Sequence, residues 1–304
     1  MLDIKLVRQN PKEVEDLLKT KDPTLSLDSV ISLDEEARKI ITRVEELKSL
    51  KNQLSKEIGE RKRAGSDAKE LMEKVSSMGS EISELDQKLH ETQSQLNEKL
   101  AEIPNPPIGD IKSSMDPNDN VCIKTFGAQK EFSFSPKNHV ELNETLELFD
   151  FPRGAKLSGT GWPVYKGLGA QLEWALINYM IDTLLANGFE MRMVPHLVKP
   201  EMMFGSGQLP KFEKQLFKIT DEDYNLYLIP TAEVALNGLH YNEIFEEKEL
   251  PKKYMCYSPC FRREAGAAGA QERGLIRVHQ FNKVEMFCFT QPENSDLIFD
   301  EMLG

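Results

Sequence analysis

Cysteine is scarce in this 304-residue sequence: Cys122, Cys256, Cys260 and Cys288 are the four present, and no two of them form a CxxC pair. A chain of this length does not need disulfide staples, so a reduced, cytosolic setting is expected. Cys256 and Cys260 lie in an apolar run and are expected as small buried strand residues rather than metal ligands. Long hydrophobic runs are missing too. No window approaches the ~18 apolar residues of a membrane span, and the start, MLDIKLVRQN, carries acids without an apolar signal core, so a soluble, cytoplasmic protein with no membrane partner is expected. Finally, there is no surplus of positive charge: 38 Lys and Arg stand against 50 Asp and Glu, a net charge of −12. The molecule as a whole repels nucleic acid, and any RNA contact must come from a local basic patch.

What is present divides by periodicity. Asn10 followed by Pro11 predicts a helix over 11–20. Apolar residues then recur at Leu33, Ala37, Ile40, Val44, Leu47, Leu54 and Ile58, with one heptad position taken by Lys51. After a turn-like segment at 59–69 the seam resumes at Leu71, Val75, Met78, Ile82, Leu85, Leu89, Leu96 and Leu100, with Thr92 in a weaker position. Such a pattern fits an antiparallel helical hairpin or a dimerising rod. The mid-way break with Gly65, Ser66 and Asp67, suited to a turn and a helix cap, favours the hairpin. Pro104, Pro106 and Pro107 end the helices. The expected division is an arm over 1–108, a linker and entry segment over 109–130 and a second domain over 131–304. In that domain a helix at 170–187 precedes strands at MRMVP, LYLIP, MCYSPCFRRE and LIRVHQFNKVEMFCF. Helix packed on antiparallel sheet makes the fold class α+β.

The last strand concentrates the chemistry. With a period of two, Arg277, His279, Phe281, Lys283 and Glu285 share one face, and Ile276, Val278, Val284 and Met286 form the opposite, core-directed face. Pairing it with CFRRE brings Arg262 and Glu264 alongside. Two arginines on one surface repel unless a polyanion lies between them, and guanidinium forks match phosphate oxygens. Phe281 offers a stacking plane and Glu285 an acceptor for an ammonium group. An exposed charge ladder on a sheet face accounts for the same residues without any ligand.

The stretch FRREAGAAGAQERGLIRVHQF resembles motif 2 of the class II aminoacyl-tRNA synthetases at Phe261, Arg262, Glu264, Arg277 and Phe281. NGFEMRMVP, with Gly188, Phe189 and Pro195, resembles motif 1, the dimer-interface element. GSGQLPKF, IPTAEVAL, SPCFRREAG and RVHQFNKVEMF together are similar to the bacterial-type seryl-tRNA synthetases, whose helical arm contacts tRNA-Ser. The resemblance implies that Arg262 holds the α-phosphate of ATP and the serine carboxylate, and that Arg277 contacts the γ-phosphate. It further implies that Phe281 stacks on adenine, Glu264 meets the adenine amino edge and Val278 adds a main-chain contact, with Arg263 in the same nucleotide site. By the same resemblance Thr231, Ala232, Glu233 and Glu285 are expected to form the serine pocket, with Arg262 and Arg277 as the catalytic pair.

The implied function is ATP-dependent activation of L-serine and its transfer to tRNA-Ser by a cytoplasmic homodimer. Arg61, Lys62 and Arg63 supply the basic patch on the arm. The family pattern continues with a further serine-pocket segment, a carboxylate for Mg²⁺ and a motif 3 arginine. Residues 1–304 stop before these, so no metal ligand is expected in this chain, Mg²⁺ is expected only with the complete enzyme, and catalysis by this chain is expected to be deficient. A non-catalytic RNA-binding or scaffold protein lacking motif 3 is the alternative, and a carrier-protein aminoacylator fits less well because it needs no arm.

Overall fold

The structure is a computed structural model that describes residues 2–107, 112–114, 116–264 and 274–304. The boundary expected at 108/109 and most of the loop between Glu264 and Gly274 lie outside the described residues. The chain divides into two compact units, Met1–Phe126 and Gly127–Gly304.

In the first unit, α1 (Ile4–Gln9) and α2 (Pro11–Lys19) precede two long helices, α3 (Asp28–Arg63) and α4 (Lys69–Glu102). With 36 and 34 residues, each long helix runs about 50 Å at 1.5 Å per residue. Their apolar stripes meet within one chain, as the hairpin requires. Ile40, Val44 and Leu47 of α3 are buried with Met78 and Ile82 of α4. Leu2, Val7, Val14, Leu18, Leu27 and Val30 close the base of the hairpin against Leu96 and Leu100. The heptad position occupied by Lys51 is tolerated because it faces Gly79, where an added Cβ would lie 3.5 Å from the Lys51 ammonium. Ion pairs flank the seam, Arg43–Glu81 at 2.8 Å and Lys88–Glu36 at 2.7 Å. These pairs are exposed and contribute about 0–1 kcal/mol each, against about 1.5–3 kcal/mol for each buried seam side chain. The hairpin is held by its seam.

The turn at the tip is shorter than the sequence predicts. Helix α3 continues through Gly59 and all of Arg61–Arg63, whose charges suit the negative end of the helix dipole. It ends where Gly65 adopts φ +73°, with Gly65 N–H donating to Lys62 O and Ser66 N–H to Arg61 O. Neither Ser66 nor Asp67 is the N-cap of α4. That position is Ala68, and Asp67 Oδ1 instead accepts from Lys69 N–H at 2.9 Å.

In the second unit, α5 (His139–Leu146), β1 (Phe149–Asp150), α6 (Phe151–Ser158) and β2 (Val164–Tyr165) lead into α7 (Leu168–Ala186). Then come β3 (Glu190–Met191), β4 (Leu197–Val198), α8 (Pro200–Gly205), β5 (Lys218–Thr220), β6 (Asn225–Leu228) and α9 (Ala232–Gly238). The ten-residue strands β7 (Lys252–Phe261) and β8 (Gln280–Phe289) and the helix α10 (Ser295–Leu303) complete it. Strands β7 and β8 pair antiparallel, Lys252 opposite Phe289 through Phe261 opposite Gln280. At the sheet edge β3 departs from the antiparallel expectation and joins β7 in parallel, Glu190 opposite Tyr254.

The period of two holds along β8, and the contacts identify each face. Phe281, Lys283 and Glu285 lie opposite Cys260, Ser258 and Cys256 and face α9, whereas Asn282 bonds Glu173 of α7 at 3.1 Å on the other side. The face assignment fails before Gln280. Gly274, at φ +79°, opens a turn over 274–276, and His279 N–H donates to Gly161 O instead of to a strand partner. Ile276, expected in the core, is therefore 63% exposed, while Val278 is buried. MRMVP is likewise strand only at Met191.

One ionic cluster ties the arm's first helix to its long one. The Asp34 carboxylate is 3% exposed and accepts from Arg8 Nε at 2.9 Å, Arg8 Nη2 at 2.5 Å and Arg38 Nε at 3.0 Å. The Arg8 hydrogen bonds hold its pKa below the ordinary 3.8 against the opposing effect of burial. A depressed carboxylate contributes stability above its ordinary value and loses it as pH falls through the lower folded value. Asp34→Asn is expected to lower arm stability by about 1.5–3 kcal/mol at neutral pH. Urea unfolding below pH 3.8 should show the variant and the natural chain converging; a gap that persists into acid would contradict this role.

Candidate active site

The site is built where the start of α9 meets the face of β7 and β8. Cys256, Ser258 and Cys260 are fully buried there, and their small side chains let Pro230, Thr231 and Ala232 approach the sheet. Burial pushes the Cys256 and Cys260 thiols up, away from the reactive thiolate, as expected of packing residues.

Thr231 is the N-cap of α9 and is buried. Its hydroxyl donates to Glu285 Oε2 at 2.6 Å and accepts from Lys283 Nζ at 3.0 Å and from Glu233 N–H at 3.2 Å. One donor and two acceptor sites are then filled, the full capacity of a hydroxyl. Lys283 also forms an ion pair with Glu285 Oε2. Glu233, half-buried beside them, is shifted upward by burial and by the Glu285 charge, with Lys283 opposing the shift. Ala232 is fully buried, its main chain included, and packs against the sheet with Leu236, Tyr254 and Cys256.

Next to this pocket, Arg262 donates from Nε to Pro230 O at 3.2 Å and lays its guanidinium over the Phe281 ring, 5.1 Å from the centroid. A cavity of about 200 Å³ opens over Arg262 between Gln208, Phe212, Gln215, Leu216 and Pro230. Arg263 has an exposed side chain and is anchored by its N–H to Gln215 O at 2.8 Å. Glu264 adopts φ +44°, an uncommon backbone for a residue with a Cβ, and its carboxylate accepts from Arg277 Nη1 at 3.0 Å. Arg277 is thus brought to Glu264 by an ion pair rather than by membership of β8. The re-entry into β8 is held at two points: Leu275 N–H donates to His139 Nε2 at 3.0 Å, and His279 fits against Gly161, where a Cβ would come within 2.7 Å of its ring.

The structure therefore gathers Thr231, Glu233 and Glu285 in one pocket and Arg262 with Phe281 beside it, with Arg277 and Glu264 paired at the strand ends. Lys283 was legible as a member of this face, but its link between Thr231 and Glu285 was not. His139 and Gly161 carry no local signal, because their partners are more than 100 residues away. Arg61, Lys62 and Arg63 occupy the last turn of α3 at the arm tip, where Arg61 pairs with Glu57 at 2.5 Å. Gly188 ends α7 at φ +80°, Pro195 is exposed, and Phe189 is buried within its own chain.

Residues 1–107 match the seryl-tRNA synthetase N-terminal domain, and residues 216–304 match the tRNA synthetase class II core domain (G, H, P, S and T). The serine–tRNA ligase of Chlamydia pneumoniae is 49% identical over 304 residues, which span all of this chain and 71% of that protein. The fold superposes with a TM-score of 0.91 on the seryl-tRNA synthetase of Pyrococcus horikoshii, solved with ATP, at 34% identity over all of this chain and 72% of that one. For the cytoplasmic serine–tRNA ligase of Naegleria fowleri, solved with AMP, the TM-score is 0.84 at 27% identity. Helical arm, class II core and identity over the whole sequence agree: the chain belongs to the seryl-tRNA synthetase family.

Proposed function

We propose that the protein activates L-serine with ATP and transfers the seryl group to tRNA-Ser. The observation that carries this is the adjacency of a partly buried Thr231–Glu285–Lys283 pocket to Arg262 stacked on Phe281. The pocket offers carboxylates to an ammonium and a hydroxyl, and the arginine offers a fork to a carboxylate and a phosphate. Serine's carboxylate oxygen attacks the α-phosphorus of ATP, an O–P bond forms, and pyrophosphate leaves with the electron pair of the broken bond. No protein nucleophile is needed, so positioning and charge stabilisation do the work.

ATP binding in this scheme exchanges partners. Adenine takes the Phe281 face that Arg262 covers, and the freed guanidinium turns to the α-phosphate. Arg277 passes from Glu264 to the γ-phosphate, and Glu264 accepts from the adenine amino group. Val278 and Arg263 border the same nucleotide. Among the described residues no group of three or more His, Cys, Asp or Glu side chains converges as a metal site, and no step here runs through Mg²⁺. Residues 1–304 do not include the motif 3 arginine expected of the family and are proposed to be deficient in adenylate formation on their own. In the natural protein carrying that motif, Arg262→Ala is expected to lower serine-dependent exchange of pyrophosphate into ATP at least ~100-fold. Exchange at the natural rate in that variant would overturn the assignment.

The arm is proposed to bind tRNA through Arg61, Lys62 and Arg63, in a cytoplasmic setting; no helix of the described residues is long and apolar enough to cross a membrane. Replacing all three with alanine is expected to weaken tRNA-Ser binding and to reduce its salt dependence by up to about one logarithmic unit per lost phosphate contact. Serine activation should stay unchanged, and an equal fall in activation would contradict a separate recognition role for the arm.

A homodimer is proposed through α7. Ile177 faces inward and is buried and Trp174 packs on Tyr257, whereas Leu172, Leu176, Tyr179 and Met180 share an exposed face. A two-fold contact covers such a face with its own copy. Sedimentation at micromolar concentration should give a dimer, and Tyr179→Glu a monomer; a natural chain that sediments as a monomer removes α7 as the interface.

A further inference from the structure

Lys283 remains without a part in the chemistry described above, yet it is the most connected cation of the pocket. It leaves β8 opposite the buried Ser258 and reaches both Thr231 Oγ1, at 3.0 Å, and the Glu285 carboxylate. Two carboxylates, Glu233 and Glu285, share this partly buried space, and Lys283 acts on both: it pairs with Glu285, and its charge opposes the upward shift of Glu233. Arg262 is committed to Pro230 O and to Phe281, on the nucleotide side. On the ammonium side, then, two carboxylates and one ammonium leave a single net negative charge.

Resting on the serine-pocket reading, we propose that Lys283 is a specificity-determining residue: by cancelling one of the two carboxylates it matches the pocket to an amino acid with a single ammonium and a hydroxyl, and it repels the isosteric diamino acid. The discrimination needed is between L-serine and L-2,3-diaminopropionate, which have the same heavy-atom skeleton and differ in carrying a hydroxyl or an ammonium on the β-carbon. Shape cannot separate them. A like charge placed against the second ammonium can, because juxtaposed like charges in a desolvated site are strongly unfavourable. Lys283 acts on Thr231 in the same way. By filling an acceptor site of that hydroxyl it directs the Thr231 proton to Glu285 and fixes the acceptor pattern that an incoming hydroxyl meets.

The upward shift of Glu233 follows from burial and from Glu285, and Lys283 restrains it. On the facing strand, Cys256 and Cys260 are buried thiols shifted upward and hence neutral, Tyr254 shares their face farther along the strand, Tyr257 lies on the opposite face, and Lys252 and Lys253 lie at the far end near Glu249 and Glu301. Removing the Lys283 charge should therefore move Glu233 further up, and the preference between the two amino acids separates a specificity role from a purely structural one.

The test titrates L-serine and L-2,3-diaminopropionate, at a mildly acidic pH that keeps both amines protonated, into the natural protein carrying the motif 3 arginine and into its Lys283→Met and Lys283→Arg variants. Binding is followed by ligand-detected saturation-transfer NMR, and the Glu233 carboxyl is titrated by ¹³C NMR. The natural chain is expected to prefer serine by at least ~10-fold. Lys283→Met should lose that preference and raise the Glu233 midpoint, and Lys283→Arg should keep both. Serine binding with an unchanged preference in Lys283→Met, or an unmoved Glu233 midpoint, overturns the role of Lys283 alone. Absence of serine binding to the natural chain overturns the pocket assignment and this proposal with it. If Lys283→Met unfolds, loss of the preference in Lys283→Gln decides in its place, and retention there overturns the proposal.

Discussion

The register between β7 and β8 is the constraint on which the site depends. Cys256 opposite Glu285, Ser258 opposite Lys283 and Cys260 opposite Phe281 set three functional side chains over three small ones. A slip of one residue would turn Glu285, Lys283 and Phe281 toward α7 and bring Asn282, Val284 and Met286 under α9. Ten consecutive pairs and two differently packed faces hold it in place. On one face Tyr257 contacts Trp174 of α7, and on the other Ala232 and Leu236 of α9 pack on Tyr254 and Cys256.

Given that register, the polar network follows from satisfaction of buried groups. The buried Thr231 hydroxyl has to find partners, and the α9 start offers one N–H while the sheet offers an acceptor and a cation. Arg262, at the end of β7, finds a carbonyl and an aromatic face. The Thr231–Glu285 pocket and the Arg262–Phe281 platform are consequences of one strand pair ending beside one short helix. The arm is a separate unit with its own cores, and its basic tip lies at the far end of a hairpin about 50 Å long.

Much of this was legible in the sequence where short-range periodicity carries it. The heptad spacing from Leu33 to Leu47 and from Met78 to Leu100 marks the buried stripes, and alternation from Phe281 to Glu285 marks the site face. Legibility ended where long-range contacts decide. Helix α3 runs on to Arg63 because the break needs a positive-φ residue, which comes only at Gly65. Strand β8 begins at Gln280 and not at Leu275, because Gly161 and His139 capture the preceding backbone from far away in the chain. Phe189 reads as an interface residue by motif, without a sign of its burial in its own chain, and the part of Lys283 depends on a threonine 52 residues distant.

The central claim is that the Thr231–Glu285 pocket and the Arg262–Phe281 platform form one continuous site for a mixed anhydride of serine and adenylate. The most direct measurement is calorimetric binding of a non-hydrolysable acyl sulfamate analogue of seryl-adenylate to the natural protein carrying the motif 3 arginine, set against serine and AMP separately. The account predicts that the joined ligand binds more tightly than either part, and that Thr231→Val and Phe281→Ala each weaken it. Binding no tighter than that of AMP, with Thr231→Val having no effect, would show that the two halves do not form one site and would contradict the account.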